Sequence, residues 1–248
     1  MQNTRISTVF EYEVTTSTNT LAREYAQSAI DPLTPALFIA AEQTEGRGRL
    51  GRSFYSPSQS GLYASLLFPA PSSADRTLSL TALAAVAAFE EIRERFGITL
   101  GIKWVNDLYL GGKKVAGILA ESFPHEKKRY IVLGIGINLS TDTFPDELLQ
   151  KAGSLGLDRI DAAARRELAQ GIFSRLLDLL DSDDVSGAMQ TYREHSIVIG
   201  KQISFTRDDK EMIATALEIT DEGALSVRLD SGEQLFISTG EISIFLKT

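Results

Sequence analysis

Beyond residue 200 the sequence changes texture, and no other feature restricts its fold as tightly. Short apolar runs at 203–205, 213–219, 225–229, 235–237 and 242–246 follow one another, separated by the turn sequences Asp221-Glu222-Gly223 and Asp230-Ser231-Gly232. Five short strands in about fifty residues predict a small β-barrel. The boundary is expected near 196–200, giving domains 1–196 and 197–248.

The first part alternates strand and helix signals. Residues 9–14 form a strand-like segment. The capping types Thr15-Thr16-Ser17-Thr18-Asn19 then precede Leu21, Ala22, Tyr25 and Ala26 at helical spacing, so a helix starts near Thr18. Apolar runs at 36–42 and 62–68 read as buried strands. A long helix is expected over 76–96, ended by Gly97. Strands are expected at 98–104 and 108–110, followed by a Gly111-Gly112 turn and a pair of strands at 115–120 and 130–137. A short helix opens at Pro145-Asp146. Longer ones cover 161–180, with Leu168, Ile172, Leu176 and Leu179 on one face, and 185–195.

Composition excludes several classes. The chain has no cysteine, so disulfides, thiolate nucleophiles and cysteine zinc sites are out. Its net charge is −8, from 33 acidic and 25 basic residues, which argues against a general nucleic-acid binder. No run approaches the ~20 apolar residues of a membrane span, and the amino terminus lacks a signal-peptide core. A cytoplasmic protein is expected. His125 and His195 are isolated, which disfavours a metal pair or a Ser-His-acid triad. Any metal would be a hard cation held by carboxylates and substrate phosphates, hence Mg2+, and no ligands are assigned to it.

Against this acidic background, Arg47, Arg49 and Arg52 crowd into one stretch, and Lys103, Lys113 and Lys114 into another. The first lies in the loop 43–60, which is long enough to suggest function. Gly46 to Gly51 formally matches G-x-G-x-x-G, but no helix start follows, so a dinucleotide fold is disfavoured. The alternatives are a solvated basic loop and an anion-binding loop. Three arginines in six residues, with no acid among them, favour the second, since glycines admit a ligand to the backbone and guanidinium forks grip phosphate or carboxylate. Lys103 reads either as an edge-strand lysine facing water or as a point charge beside a bound anion. Asn106-Asp107 reads as a turn, and Lys113-Lys114 as hairpin-tip charges. Gly134 and Gly136 inside a strand mark close approach, by a ligand or by neighbouring chain.

Taken together, these motifs resemble the biotin–protein ligase family. The resemblance rests on Ser17-Thr18-Asn19, Gln43, Gly46-Arg47-Gly48-Arg49 running to Gly51-Arg52, Ser56-Pro57, Gly61-Leu62-Tyr63, Lys103-Trp104 with Asn106-Asp107, Lys114, Gly117-Ile118-Leu119 with Glu121, and 134–138. It covers the whole chain in order and spacing. It implies an α+β fold: a mixed sheet with flanking helices, similar to class II aminoacyl-tRNA synthetases, plus a small carboxy-terminal SH3-like β-barrel. It implies activation of biotin by ATP to biotinyl-adenylate, with Mg2+, and transfer to a lysine of a biotin carboxyl carrier protein belonging to acetyl-CoA carboxylase or another biotin-dependent carboxylase. By the same resemblance, Ser17, Thr18, Asn19, Gln43, Arg47, Gly48, Arg49, Lys103 and Gly117 contact biotin. Arg47, Arg49, Arg52, Phe54, Asn106, Lys114 and Asn138 contact ATP or the adenylate. Arg49, Lys103 and Lys114 are the catalytic candidates.

Two positions depart from the family pattern. Phe54 stands where tryptophan is frequent and keeps an aromatic surface. Val105 stands where proline is usual and removes a rigid turn before Asn106 and Asp107. Ser17 lies too near Met1 for the winged helix that some members carry, so a monofunctional ligase is expected, with no DNA or membrane partner, as a monomer or a homodimer. A lipoate–protein ligase or octanoyl transferase is the nearest rival, and the Gly-Arg-Gly-Arg loop and Lys-Trp-x-Asn-Asp speak against it. A non-catalytic nucleotide- or biotin-binding module is a third reading.

Overall fold

The computed structural model describes all residues except 1–4, 7, 29, 71–76, 183–184 and 246–248. Among the described residues, two sheets account for twelve strands. The larger contains β1 (Thr8–Thr15), β2 (Ala36–Gln43), β3 (Gly61–Pro69), β4 (Gly101–Lys103), β5 (Asp107–Leu110), β6 (Lys113–His125) and β7 (Lys128–Asn138), in the order β1-β2-β3-β7-β6-β5-β4. Strands β1 and β2 run parallel and every other pair is antiparallel, so the sheet is mixed.

The helices explain why β2 and β3 are apolar almost throughout. Helix α1 (Thr18–Ser28) packs Ala22 and Ala26 on one face of the sheet, against Phe38, Leu67, Tyr130 and Val132. Helices α2 (Thr77–Phe96) and α3 (Ala162–Asp181) cover the other face, and α4 (Val185–Glu194) packs against both of them. Strands covered on both faces lose the alternation of a half-buried sheet. Helix α2 is buried along most of its length. Its alanines 82, 84, 85, 87 and 88 are fully covered, and small side chains let neighbouring backbones come close. Helix α3 starts where Asp161 caps it, accepting from the Ala164 amide at 2.8 Å. Leu168, Ile172 and Leu176 are fully buried, and Leu179 is partly buried against the same core.

Three sequence expectations need adjustment. The strand expected over 98–104 is only Gly101–Lys103, flanked by a turn at 104–106. Strands β6 and β7 run well past 120 and begin at Lys128, forming a long two-stranded ribbon. β5 pairs with β6 only as far as Gly117, so Pro124 further along removes no ladder bond that a neighbour needs. Arg76, expected in α2, and Leu246, expected in the last strand, lie outside the described residues.

The carboxy-terminal part forms a separate antiparallel sheet of β8 (Gln202–Arg207), β9 (Lys210–Ile219), β10 (Leu225–Leu229), β11 (Gln234–Ile237) and β12 (Ile242–Ile244), in the order β11-β10-β9-β8-β12. Asp208 and Asp209 both sit at positive φ, 51° and 58°, as a two-residue hairpin turn demands. The buried cluster runs without a break from the large sheet's helix-covered face into Ile203, Ala216, Leu225 and Val227. Polar contacts join the same parts: the Trp104 indole donates to the Gly223 carbonyl at 2.8 Å, and Arg193 donates to the Ile219 carbonyl at 3.0 Å. Among the described residues no helix is long and apolar enough to cross a membrane.

Candidate active site

The parallel pair β1–β2 positions the site. It brings the start of α1, just after β1, beside the end of β2 and the loop that leaves it. Thr18 donates from its amide and its hydroxyl to Gln43 Oε1, at 2.9 and 3.1 Å. Gln43 Nε2 donates to Ser56 Oγ at 2.9 Å, tying the far side of the loop to the same spot. Ser65 Oγ, from β3, donates to Asn19 Oδ1 at 2.6 Å and lies 2.7 Å from Thr18 Oγ1. Asn19 Nδ2 donates to Glu121 Oε2 at 2.8 Å. Ser17, Thr18 and Asn19 are all buried, and Thr18 and Asn19 find side-chain partners within this group, as buried polar groups require.

The glycines of β6 and β7 are the floor beneath these side chains. A Cβ on Gly134 would stand 2.1 Å from Asn19 Oδ1. One on Gly136 would stand 2.5 Å from the Phe54 ring, and one on its strand partner Gly117 would stand 3.1 Å from Lys114 Nζ. The expected close approach is therefore made by Asn19, Phe54 and Lys114.

The arginine loop folds back on itself. Arg47 pairs with Ser53 across it, and the Gly48 amide donates to the Arg52 carbonyl at 2.7 Å. Its tip is one short turn, Arg49–Gly51, with Leu50 and Gly51 at φ 53° and 74°. No α-helix starts there, as the disfavoured dinucleotide fingerprint would need. Each arginine has a separate partner. Arg47 pairs with Glu121 at 3.0 Å. Arg49 donates to Asn106 Oδ1 at 3.1 Å and to the Gly240 carbonyl at 2.9 Å. Arg52 pairs with Glu241 at 2.5 Å. Asn106 in turn donates to the Ile118 carbonyl at 3.0 Å, and Lys114 pairs with Asp107 at 2.6 Å. The Trp104–Val105 peptide is cis, Val105 is buried, and its carbonyl accepts from the Tyr192 hydroxyl at 3.2 Å. The turn that presents Asn106 is thus held by its contacts without a proline.

Between these walls lies an open cleft. Of the residues singled out by sequence, it is lined by Ser17, Thr18, Asn19, Gln43, Arg47, Gly48, Arg49, Phe54, Asn106, Lys114 and Gly117. One wall is neutral and polar (Ser17, Thr18, Asn19 and Gln43). Arg47, Arg49 and Lys114 make the other cationic. Three expected residues lie off the lining. Lys103, at the end of β4, places its ammonium 5.7 Å from the Tyr109 ring centroid, and burial lowers its pKa while Asp107, its partner across β5, opposes the shift. Arg52 is largely exposed beyond the loop tip. Asn138 is buried at the end of β7, donating to the Gly153 carbonyl at 2.8 Å.

Sequence reasoning passed over Ser65 and gave Glu121 no role; Ser65 is a lone polar residue in an apolar strand run, a signal that could have found it, whereas Glu121 sits beside Ser122 at the end of its run and carries no such signal. The contact with 240–241 had no local signal, since nothing in the loop encodes a partner about 190 residues away.

Burial also pushes the hydroxyls of Tyr63, which donates to the Pro57 carbonyl, and of Tyr109 up to about 12 from 10.0. The folded chain then holds these protons where the unfolded chain releases them. Their stabilisation is complete below pH 10.0 and is lost as pH rises to about 12. Urea midpoints should fall across that window and fall less steeply in Tyr63→Phe. An equal slope in the variant refutes the assignment.

Comparison with known proteins bears on this cleft. The model of the Biotin/lipoate A/B protein ligase family matches residues 11–138, and that of the Biotin protein ligase C terminal domain matches residues 198–244. The chain is 32% identical over 227 residues to the Bifunctional ligase/repressor BirA of Bacillus subtilis (strain 168), covering 89% of this chain and 69% of that protein. It is 30% identical over 240 residues to the Biotin--[acetyl-CoA-carboxylase] ligase of Mycobacterium tuberculosis, covering 92% and 84%. The fold is similar to that of the biotin protein ligase from Aquifex aeolicus solved with biotin and ATP, with a TM-score of 0.82 and 23% identity over 97% of this chain and 100% of that one.

Proposed function

We infer the function from the premise that this chain belongs to the biotin/lipoate A/B protein ligase family, through matches to both its large and its carboxy-terminal parts. It is an ATP-dependent biotin–protein ligase, which attaches biotin to a carrier protein. A biotin carboxylate oxygen attacks the α-phosphorus of ATP, and the bond to pyrophosphate breaks. A carrier lysine then attacks the acyl carbon of biotinyl-adenylate, loses a proton, and releases AMP.

The observation that carries this reading is the two-sided cleft. Its neutral wall of Ser17, Thr18, Asn19 and Gln43 offers paired donors and acceptors suited to an uncharged ureido ring. Its cationic wall suits a carboxylate meeting a triphosphate, where mutual repulsion is a large part of the barrier. In this reading Arg49 and Lys114 neutralise that charge, Gly48 lets the backbone approach it, and Phe54 and Asn106 border the nucleotide. Lys103 and Arg52, which lie off the lining, are proposed to meet the ligand only at its outer edge, and Asn138, buried at the end of β7, to back the site through its bond to Gly153. Mg2+ is proposed to arrive on the ATP phosphates, since among the described residues no group of three or more His, Asp or Glu side chains could hold it.

The finer architecture belongs to the same proposal: a class II synthetase-like domain over 1–196, an SH3-like barrel over 197–248, a cytoplasmic location, and a carboxylase carrier domain as acceptor. The test is isotope exchange between pyrophosphate and ATP. Exchange should require biotin, and lipoate should not replace it. Exchange with lipoate alone would reverse the choice between the two branches of the family. Ligand binding without exchange would make the protein a binding module.

A further inference from the structure

We propose that Tyr192 is a positioning residue that holds the nucleotide end of the cleft from behind, through the turn that presents Asn106. Tyr192 lies on α4, in the core shared by both sheets, and is fully buried. Its ring fills that core as a phenylalanine would. Its hydroxyl is costly there unless bonded, and it donates to the Val105 carbonyl at 3.2 Å. Val105 is buried too, which shields that carbonyl from water. Burial pushes the hydroxyl well above the usual tyrosine range and keeps it a donor.

The Val105 carbonyl and the Asn106 amide share one rigid peptide plane. A bond to the first therefore sets the plane from which the Asn106 side chain leaves. The helix end that supplies the bond is itself fixed. Its next residue, Arg193, donates to the Ile219 carbonyl at 3.0 Å and pairs with Asp221 at 2.8 Å. On the other side Asn106 meets Ile118 of β6 twice. Its carbonyl accepts from the Ile118 amide at 2.9 Å, and its Nδ2 donates to the Ile118 carbonyl at 3.0 Å. Asn106 is thus gripped between α4 and β6, where it lines the cleft. Asp107, one residue on, already has ladder partners in β4 and β6. Asn106 precedes that ladder and depends on the turn. A loosened turn should therefore disturb the nucleotide and spare Lys114, which Asp107 holds.

The inference rests on the ligase reading only for what Asn106 borders. Tyr192→Phe keeps the ring and removes the hydroxyl. In pyrophosphate exchange, half-saturation by ATP should rise about fivefold, the factor one buried hydrogen bond is worth. Half-saturation by biotin and the maximal rate should hold. In an Asn106→Ala background, Tyr192→Phe should add nothing. Ala188→Gly weakens the same helix one turn earlier and removes no side-chain hydrogen bond, so it should leave half-saturation by ATP in place. An equal rise in Ala188→Gly, a loss confined to the maximal rate, or a full effect persisting in Asn106→Ala overturns the proposal. A second readout needs neither biotin nor ATP. The Ile118 amide, held by the Asn106 carbonyl, should take up deuterium about fivefold faster in Tyr192→Phe and at the parent rate in Ala188→Gly. Unchanged uptake in Tyr192→Phe also overturns the proposal. A parent protein that exchanges no pyrophosphate would sink the ligase reading and leave this second measurement standing.

Discussion

Lys114→Ala is expected to lower the rate of biotin-dependent pyrophosphate exchange by about 10²–10³-fold, the usual loss when one preorganised charge at the reacting centre is removed. The Lys114 ammonium is pinned on the cleft floor. It is 2.6 Å from Asp107 and lies over Gly117, where a Cβ would stand 3.1 Å from Nζ. Such a charge needs no reorganisation as the carboxylate closes on the α-phosphate. The loss should fall on the maximal rate, with half-saturation by biotin little changed, because the charge it answers grows in the transition state. The truncation also strips the half-buried Asp107 carboxylate of its counter-charge, which costs stability. Lys114→Ala/Asp107→Asn should therefore recover stability without recovering rate. A double variant that regained the rate would show that Lys114 only shields Asp107.

The second large effect is expected at Arg49. Arg49→Ala should reduce exchange by a similar ~10²–10³-fold while stability falls by only about 0.5–1.5 kcal/mol per lost hydrogen bond. Its fork spans two parts of the chain, the Asn106 side chain and the Gly240 carbonyl, and holds the charge at the cleft. Arg49→Lys separates charge from geometry. A lysine supplies a point charge but cannot keep both contacts, so activity should recover in part. Exchange by Arg49→Ala at the parent's rate would show that Lys114 and Arg47 carry the charge without it.

The regular elements were legible because each has a strong local cause. The four long helices and the five short carboxy-terminal strands follow from apolar spacing, caps and Asp/Gly turns. The shortened strand at 101–103 was not legible, because the run 98–104 is equally apolar in strand and loop and its end is set by the buried turn at Trp104-Val105. Among the expected site residues, Ser17 to Asn19, Gln43, Arg47 to Arg49 and Lys114 all line one cleft.

By itself the sequence determined which groups gather at the cleft: neutral hydrogen-bonding side chains at a helix start, a glycine-arginine loop, and one lysine in a strand. These are local facts, carried by residue type and spacing. Only the tertiary structure decided which of the cations face the cleft and what holds them. Lys103 and Arg52 looked equivalent to Lys114 and Arg49 in the sequence, yet they lie off the lining. The partners that sort them, Glu121, Asp107, Gly240 and Glu241, come from other strands and from the second sheet. Charge acts through space over a few ångströms, so where a cation points depends on neighbours that only folding brings within reach.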